Sequence, residues 1–367
     1  MSYIGAEHII SPLGVGAHVN FAKAQQGISG LKKHEHYDHA PSNIPFGIIE
    51  DYNLEKGLTK LESLVLQSCQ YSLSRMNDLE GKWLMIFCTT KGDVDRLAAG
   101  LSKEVRPQFV AEVVASKLDI QMDIEVVSNA CISGLLGVVM AHDYIATNNY
   151  DKVMVIGADV FSEFTCRGFE SFMALSDREC KPFDANRNGL SLGEAIATAV
   201  VTGDKKDFMA CPKEVLGGAS ANDANHISGP SRTGEGLYRS ITKALKQSAL
   251  QVGQIDAISA HGTATRYNDD MESIAFHRMG LTKQPVNSMK GYFGHTLGAA
   301  GLLELVMCMQ SMDNNEMLAT KGCESPGTTE KINVLTENKA MQLNTILKTT
   351  SGFGGCNAAA VIRKVEC

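Results

Sequence analysis

The chain has 367 residues, 44% of them hydrophobic and 20% charged, and a formal net charge of −7. Such a length supports a large core divided into more than one structural unit. The acidic balance argues against general nucleic-acid binding, and no apolar run approaches the roughly 18 residues of a membrane span.

The first residues, MSYIGAEHII, lack the basic-then-apolar pattern of a secretory signal. A cytoplasmic protein without membrane contact is therefore expected. The ten cysteines are irregularly spaced and form no CxxC pair, which favours reduced thiols over disulfides or a zinc site. In KKHEHYDHAP (32–41), His34, His36 and His39 stand with Glu35 and Asp38. Metal binding is one reading, but no helix or strand holds the ligands. An exposed polar loop is the better reading, and no metal is expected.

LESLVLQSCQYSLSRM (61–76) places Leu61, Leu64, Val65, Ser68, Cys69 and Leu73 on one face at helical spacing. WLMIFC (83–88) reads as a buried strand and IEVVS (124–128) as another. CISGLLGVVMAHDYIA (131–146) reads as a helix, and KVMVIGAD (152–159) as a further strand. This alternation predicts a parallel sheet with buried helices. The order then recurs: helix 236–250, strand 255–260 and apolar helix 298–312. The small-residue strands 194–203 and 357–365 close the two halves. The boundary falls in the charged stretch DKKDFM (204–209), dividing the chain into residues 1–205 and 206–367.

Cys131 stands at a strand-to-helix junction, where free N–H groups and the helix dipole favour a thiolate. Ser133, Gly134 and Gly137 leave room for another chain or a substrate to approach. A small apolar packing residue is the alternative reading. In the second half, His261 ends a predicted strand, and Lys290 and His295 lie between a strand and a helix. Functional groups gather at such strand ends in open α/β sheets. TTSGFGGCNAAA (349–360) implies a tight turn carrying Phe353, or a plain hairpin.

HGTAT (261–265), SMKGYFGHTLGAAG (288–301) and GFGGCN (352–357), with SNACISG around Cys131 and PFDANRNGLSLGEA (182–195), resemble the β-ketoacyl-acyl carrier protein synthases. These are condensing enzymes of the thiolase superfamily. The opening IGAEHIISPLG (4–14) resembles their first strand and turn, so the resemblance runs in order from residue 4 to about 365.

The resemblance implies an α/β thiolase-like fold: two similar halves in a five-layered αβαβα arrangement. It implies decarboxylative Claisen condensation of an acyl thioester, held on Cys131, with malonyl-carrier protein, in fatty acid or related polyketide or polyene biosynthesis. His261 and His295 would bind the enolate oxygen, and the Cys131 and Phe353 N–H groups would form an oxyanion hole. Lys290, with Glu272 as its partner, would support the His295 geometry. Thr263 and Thr265 would bind the pantetheine arm, and Phe353 would gate the acyl and malonyl pockets. Cys356 would be a packing residue. No cofactor is implied beyond phosphopantetheine-borne substrates. The expected partners are an acyl carrier protein, docking near Arg187, and a second copy in a homodimer. A non-catalytic chain-length partner subunit and a coenzyme A-dependent condensing enzyme are the alternatives. Three features depart from the family pattern: a short 88–131 excursion, Ser351 before GFGG, and Arg266 after HGTAT.

Overall fold

Each central strand buries both faces, and what covers those faces decides the architecture. The computed structural model of the chain describes residues 1–34, 44–223, 229 and 231–366. Of the histidine-rich stretch 32–41, the acidic residues and the later histidines lie outside the described residues.

In the first half, β1 (Ser2–Ser11) is followed by α1 (Lys60–Ser74), β2 (Trp83–Cys88), α2 (Pro107–Ala115) and β3 (Met122–Val127). Then come α3 (Ser133–Ala146), β4 (Lys152–Asp159), α4 (Glu163–Ser171) and β5 (Ala195–Thr202). The second half runs β6 (Lys213–Asn222), α5 (Glu235–Gln247), β7 (Ala257–Ser259), α6 (Arg266–Met279) and β8 (Val286–Asn287). It continues through α7 (Lys290–Phe293), α8 (Ala300–Asn314), β9 (Thr345–Gly352) and β10 (Cys356–Lys364). The helix read at 61–76 starts earlier, because Thr59 and Glu62 form a capping box.

These strands pair in the order β8-β7-β9-β10-β6-β1-β5-β4-β2-β3. Each half has the same internal order, with its first strand at the centre. Its second strand is parallel to its third and fourth, and its fifth is antiparallel to its fourth and first. The sheet is therefore mixed, a correction to the all-parallel reading. Helical crossovers impose parallel pairing at β2–β4 and β7–β9. The hairpin β9–β10, by contrast, forces an antiparallel pair. The first strands meet antiparallel, Ser2 against Val215 and Ile4 against Lys213, and make the two sheets continuous.

Alternate residues of one strand enter different layers. Leu84 and Ile86 of β2 pack with α3 and α8. Trp83, Met85 and Phe87 face α1 and α2. In the second half, Ile346 and Ala360 join α3 and α8, whereas Leu347 and Val361 face α5 and α6. The layers are α1/α2, sheet, α3/α8, sheet, α5/α6: the five-layered α/β arrangement of two similar halves that the resemblance implies. Among the described residues no helix is long and apolar enough to cross a membrane. Cys69, Cys88, Cys131, Cys166, Cys180, Cys308, Cys323 and Cys356 are free.

The inner helices approach through glycine. A Cβ on Gly134 would stand 2.8 Å from the Gly298 carbonyl oxygen, and one on Gly301 would stand 2.6 Å from the Leu135 nitrogen. A Cβ on Gly137 would meet Cys88 Sγ at 2.5 Å. Gly134 and Gly137 thus serve close helix and sheet packing, the first of the two approaches read from the sequence, and not substrate access. Gly→Ala inside a helix normally stabilises. Here Gly134→Ala is expected to destabilise the chain by about 1–3 kcal/mol through overpacking, measured by denaturant unfolding against the parent.

Candidate active site

Cys131 lies on the turn from β3 into α3. Ala130 before it has φ 45°, a region costly for a residue with a Cβ. Ser133 holds that turn: its Oγ accepts from the Asn129 N–H at 2.8 Å and donates to the Ala130 carbonyl at 2.7 Å. The β9–β10 hairpin closes over the same turn. A Cβ on Gly352 would lie 3.0 Å from the Cys131 nitrogen, and the Phe353 backbone donates to the Cys131 sulfur. The turn carrying Phe353 is thus a hairpin, and its Gly354 and Gly355 have left-handed φ of 84° and 76°.

Burial pushes the Cys131 thiol up to about 12, with the neighbouring Cys356 adding to the rise; Lys290 and the Phe353 backbone act in the opposite direction. This corrects the expectation of a thiolate favoured by the helix start alone. The groups aimed at the sulfur are nonetheless donors, so they favour the anion whenever it forms.

His295 Nε2 lies 3.0 Å from Cys131 Sγ. Its Nδ1 accepts from the Leu297 N–H at 3.3 Å, so the ring carries its proton on Nε2. His261 follows β7, and its Nδ1 faces Lys290 Nζ at 3.2 Å. An ammonium only donates, so His261 also carries its proton on Nε2. Burial, then Lys290, holds both imidazoles well below the ordinary histidine value; His295 and Lys348 depress His261 further. Two neutral rings, with centroids 5.1 Å apart, therefore present N–H donors beside one sulfur.

Lys290 does not reach His295 and does not pair with Glu272, as the sequence reading had it. Its Nζ donates to Glu304 Oε1 at 2.7 Å and to the His261 carbonyl at 2.6 Å. Glu272 instead accepts the backbone N–H groups of His261 at 2.8 Å and Gly262 at 2.6 Å. Burial and Asp269 push Glu272 up to about 7. Glu304 was missed. Its signal was a lone carboxylate within the apolar run GLLELVMCM, three residues after the stretch GAAG. Asp159 was missed too; it accepts from the Gly298 N–H at 2.7 Å and from Lys91 at 2.9 Å, fixing the loop after His295.

A cavity of about 430 Å³ is lined by Cys131, His261, His295, Thr263, Thr265 and Phe353. The hydroxyls of Thr263 and Thr265 lie 2.8 Å apart. A second cavity, about 1300 Å³, also reaches Cys131 and is lined by Phe161, Phe164, Phe169, Phe172 and Phe353. Phe353 borders both, stacked on Phe169 at 5.4 Å. Cys356 is buried and lines neither. Arg187 is not a docking residue at the surface. It is buried, donating to Asp270 Oδ1 at 2.8 Å and to the Asp184 carbonyl at 2.9 Å.

The chain matches two family models. Residues 86–207 match "Beta-ketoacyl synthase, N-terminal domain" and residues 213–324 match "Beta-ketoacyl synthase, C-terminal domain". It is 27% identical to a putative mitochondrial 3-oxoacyl-[acyl-carrier-protein] synthase of Schizosaccharomyces pombe, covering 97% of each chain. It is 31% identical to a putative polyketide β-ketoacyl synthase of Streptomyces halstedii, covering 76% of this chain and 69% of the relative. In fold it is similar to a β-ketoacyl synthase from Burkholderia phymatum, with a TM-score of 0.90, 22% identity, and coverage of 100% of this chain and 99% of that one.

Because the thiol is raised, alkylation of Cys131 by iodoacetamide is expected to accelerate with pH from 7 to 9 without a plateau, followed by mass spectrometry. His295→Ala removes a donor to the sulfur anion. At fixed pH it should slow alkylation by about 10- to 100-fold, from the roughly 1.5–3 kcal/mol of a hydrogen bond to a charged group. Arg187→Glu places a further carboxylate beside Asp269 and Asp270, and is expected to lower the unfolding temperature before any effect on partner binding is read.

Proposed function

The chain belongs to the β-ketoacyl synthase family of condensing acyltransferases, and from that premise we propose that it is a 3-oxoacyl-[acyl-carrier-protein] synthase with Cys131 as its nucleophile. The observation that carries this reading is the meeting of Cys131 Sγ with His295 Nε2 at 3.0 Å, beside a second neutral histidine.

Cys131 attacks the carbonyl of an acyl thioester, and the bond from the acyl carbon to the carrier sulfur breaks. The Cys131 thiol proton ends on the departing carrier sulfur as carrier thiol, and the acyl group stays on the Cys131 sulfur. The N–H groups of Cys131 and Phe353 stabilise the tetrahedral oxyanion. Once the sulfur is acylated, the Nε2–H of His295 is released for a new acceptor. A malonyl thioester then enters and loses CO2, and its enolate oxygen accepts from the Nε2–H groups of His261 and His295. No base is required, because breaking the carbon–carboxylate bond supplies the electron pair. The enolate carbon attacks the acyl-Cys131 carbonyl, and the 3-oxoacyl product departs from sulfur.

Thr263 and Thr265 hold the pantetheine arm in the smaller cavity, and Phe353 separates it from the larger, which takes the acyl chain. The partner is an acyl carrier protein, and the quaternary form a homodimer in the cytoplasm. No cofactor is involved. The presence of Cys131 opposes a non-catalytic chain-length role. Comparing malonyl-CoA with malonyl-carrier protein as extender separates a coenzyme A-dependent enzyme from the carrier-dependent one.

Incubation with an acyl-carrier thioester is expected to add the acyl mass at Cys131, and Cys131→Ala to abolish it; absence of the adduct in the parent chain overturns the reading. His261→Ala should retain acylation but lose condensation by about 10²–10³-fold, the effect of deleting one oxyanion donor.

A further inference from the structure

Lys348 is a buried lysine for which the proposed chemistry assigns no task. It lies on β9 and is 0% exposed. Its Nζ donates to the carbonyls of Ser259 and Ala260, each at 3.2 Å, and of Thr349 at 2.8 Å. An ammonium has three N–H donors, so these carbonyls occupy all of them. Two belong to the residues just before His261.

The same Nζ stands 2.6 Å from Glu304 Oε2, an ionic contact outside hydrogen-bonding geometry. Lys290 Nζ takes the other oxygen of that carboxylate at 2.7 Å. Two ammonium groups therefore share one carboxylate, and all three side chains are buried. A surplus positive charge in an interior is costly unless negative charge arrives to meet it. Glu272, buried beside His261 with its carboxyl pushed up to about 7, offsets this surplus only when ionised. The surplus lies behind His261, on the side of Nδ1, while Nε2–H faces the cavity. Lys290 donating into Nδ1 polarises the ring and strengthens donation at Nε2.

We propose that Lys348 is a positioning residue for enolate formation. It ties the backbone that carries His261 and, by taking Glu304 Oε2, leaves Lys290 directed at the His261 ring. The inference rests on the condensing reading above. It separates the two half-reactions: extender decarboxylation depends on Lys348 more than acyl transfer to Cys131 does.

The test measures both half-reactions in Lys348→Met, which keeps the length of the side chain and removes its charge and donors. CO2 release from a malonyl-carrier thioester is expected to fall at least tenfold further than the rate of acyl mass addition at Cys131. Adding Glu304→Gln to that variant restores the surplus positive charge, and is expected to recover part of the decarboxylation. Equal falls in the two half-reactions, or no fall in either, overturn the proposal while leaving the condensing reading intact. If Lys348→Met does not fold, Lys348→Gln, which retains an amide donor for the Ser259 and Ala260 carbonyls, carries the same comparison with the same deciding outcomes. If the parent chain performs neither half-reaction, the condensing reading itself fails, and the proposal with it.

Discussion

The close approach of α3 and α8 is the constraint on which the site depends. Each inner helix comes from a different half, and each meets the other through a glycine whose missing side chain is filled by its partner's backbone. That contact sets the distance between the start of α3, which carries Cys131, and the loop entering α8, which carries His295. Asp159 reinforces it from β4 by accepting the Gly298 N–H. The sulfur and the imidazole are neighbours because two helices are packed more tightly than side chains ordinarily permit.

The electrostatics follow from where hydrogen-bond acceptors have been used up. His295 Nδ1 is occupied by a backbone N–H, and His261 Nδ1 by an ammonium. Neither ring can turn its proton inward, so both direct donors at the cavity. Burial keeps them neutral, and neutral rings with fixed tautomers suit a site that must receive negative charge without giving up a proton. The same burial raises the Cys131 thiol. Acyl transfer thus begins from a protonated sulfur surrounded by groups that stabilise its anion.

Much of this was legible in the sequence. Apolar periodicity located β2, β4, α1 and α3 because their burial is strict, and the ordered motifs located Cys131, His261 and His295. Three things were not legible. The antiparallel pairing of β1 with β5 and β6, and of β6 with β10, depends on contacts between strands distant in the chain, and small residues such as AIATAVVT carry no directional signal. The pairing of Lys290 with Glu272 came from the family resemblance and not from any signal in the residues themselves. Glu304 lies in a segment that reads as apolar helix and Lys348 just before the turn segment 349–360, and only packing brings them to His261. Arg187 looked like a surface cation in a polar loop, whereas the loop folds over it and uses it to bind carbonyls and carboxylates across 140 residues of sequence.

The antiparallel meeting of β1 and β6 is the contact that two identical subunits make about a twofold axis, where equivalent segments pair with each other. The halves have the same strand order around that seam. Within that symmetry, the junction after the third strand of the first half, leading into its inner helix, corresponds to the junction after the third strand of the second. The first holds Cys131 and the second holds His295. The nucleophile and a histidine donor to it therefore occupy equivalent positions in two halves of the same strand order. A cysteine at one of these junctions and a histidine at the other make the seam between the halves a chemical pair.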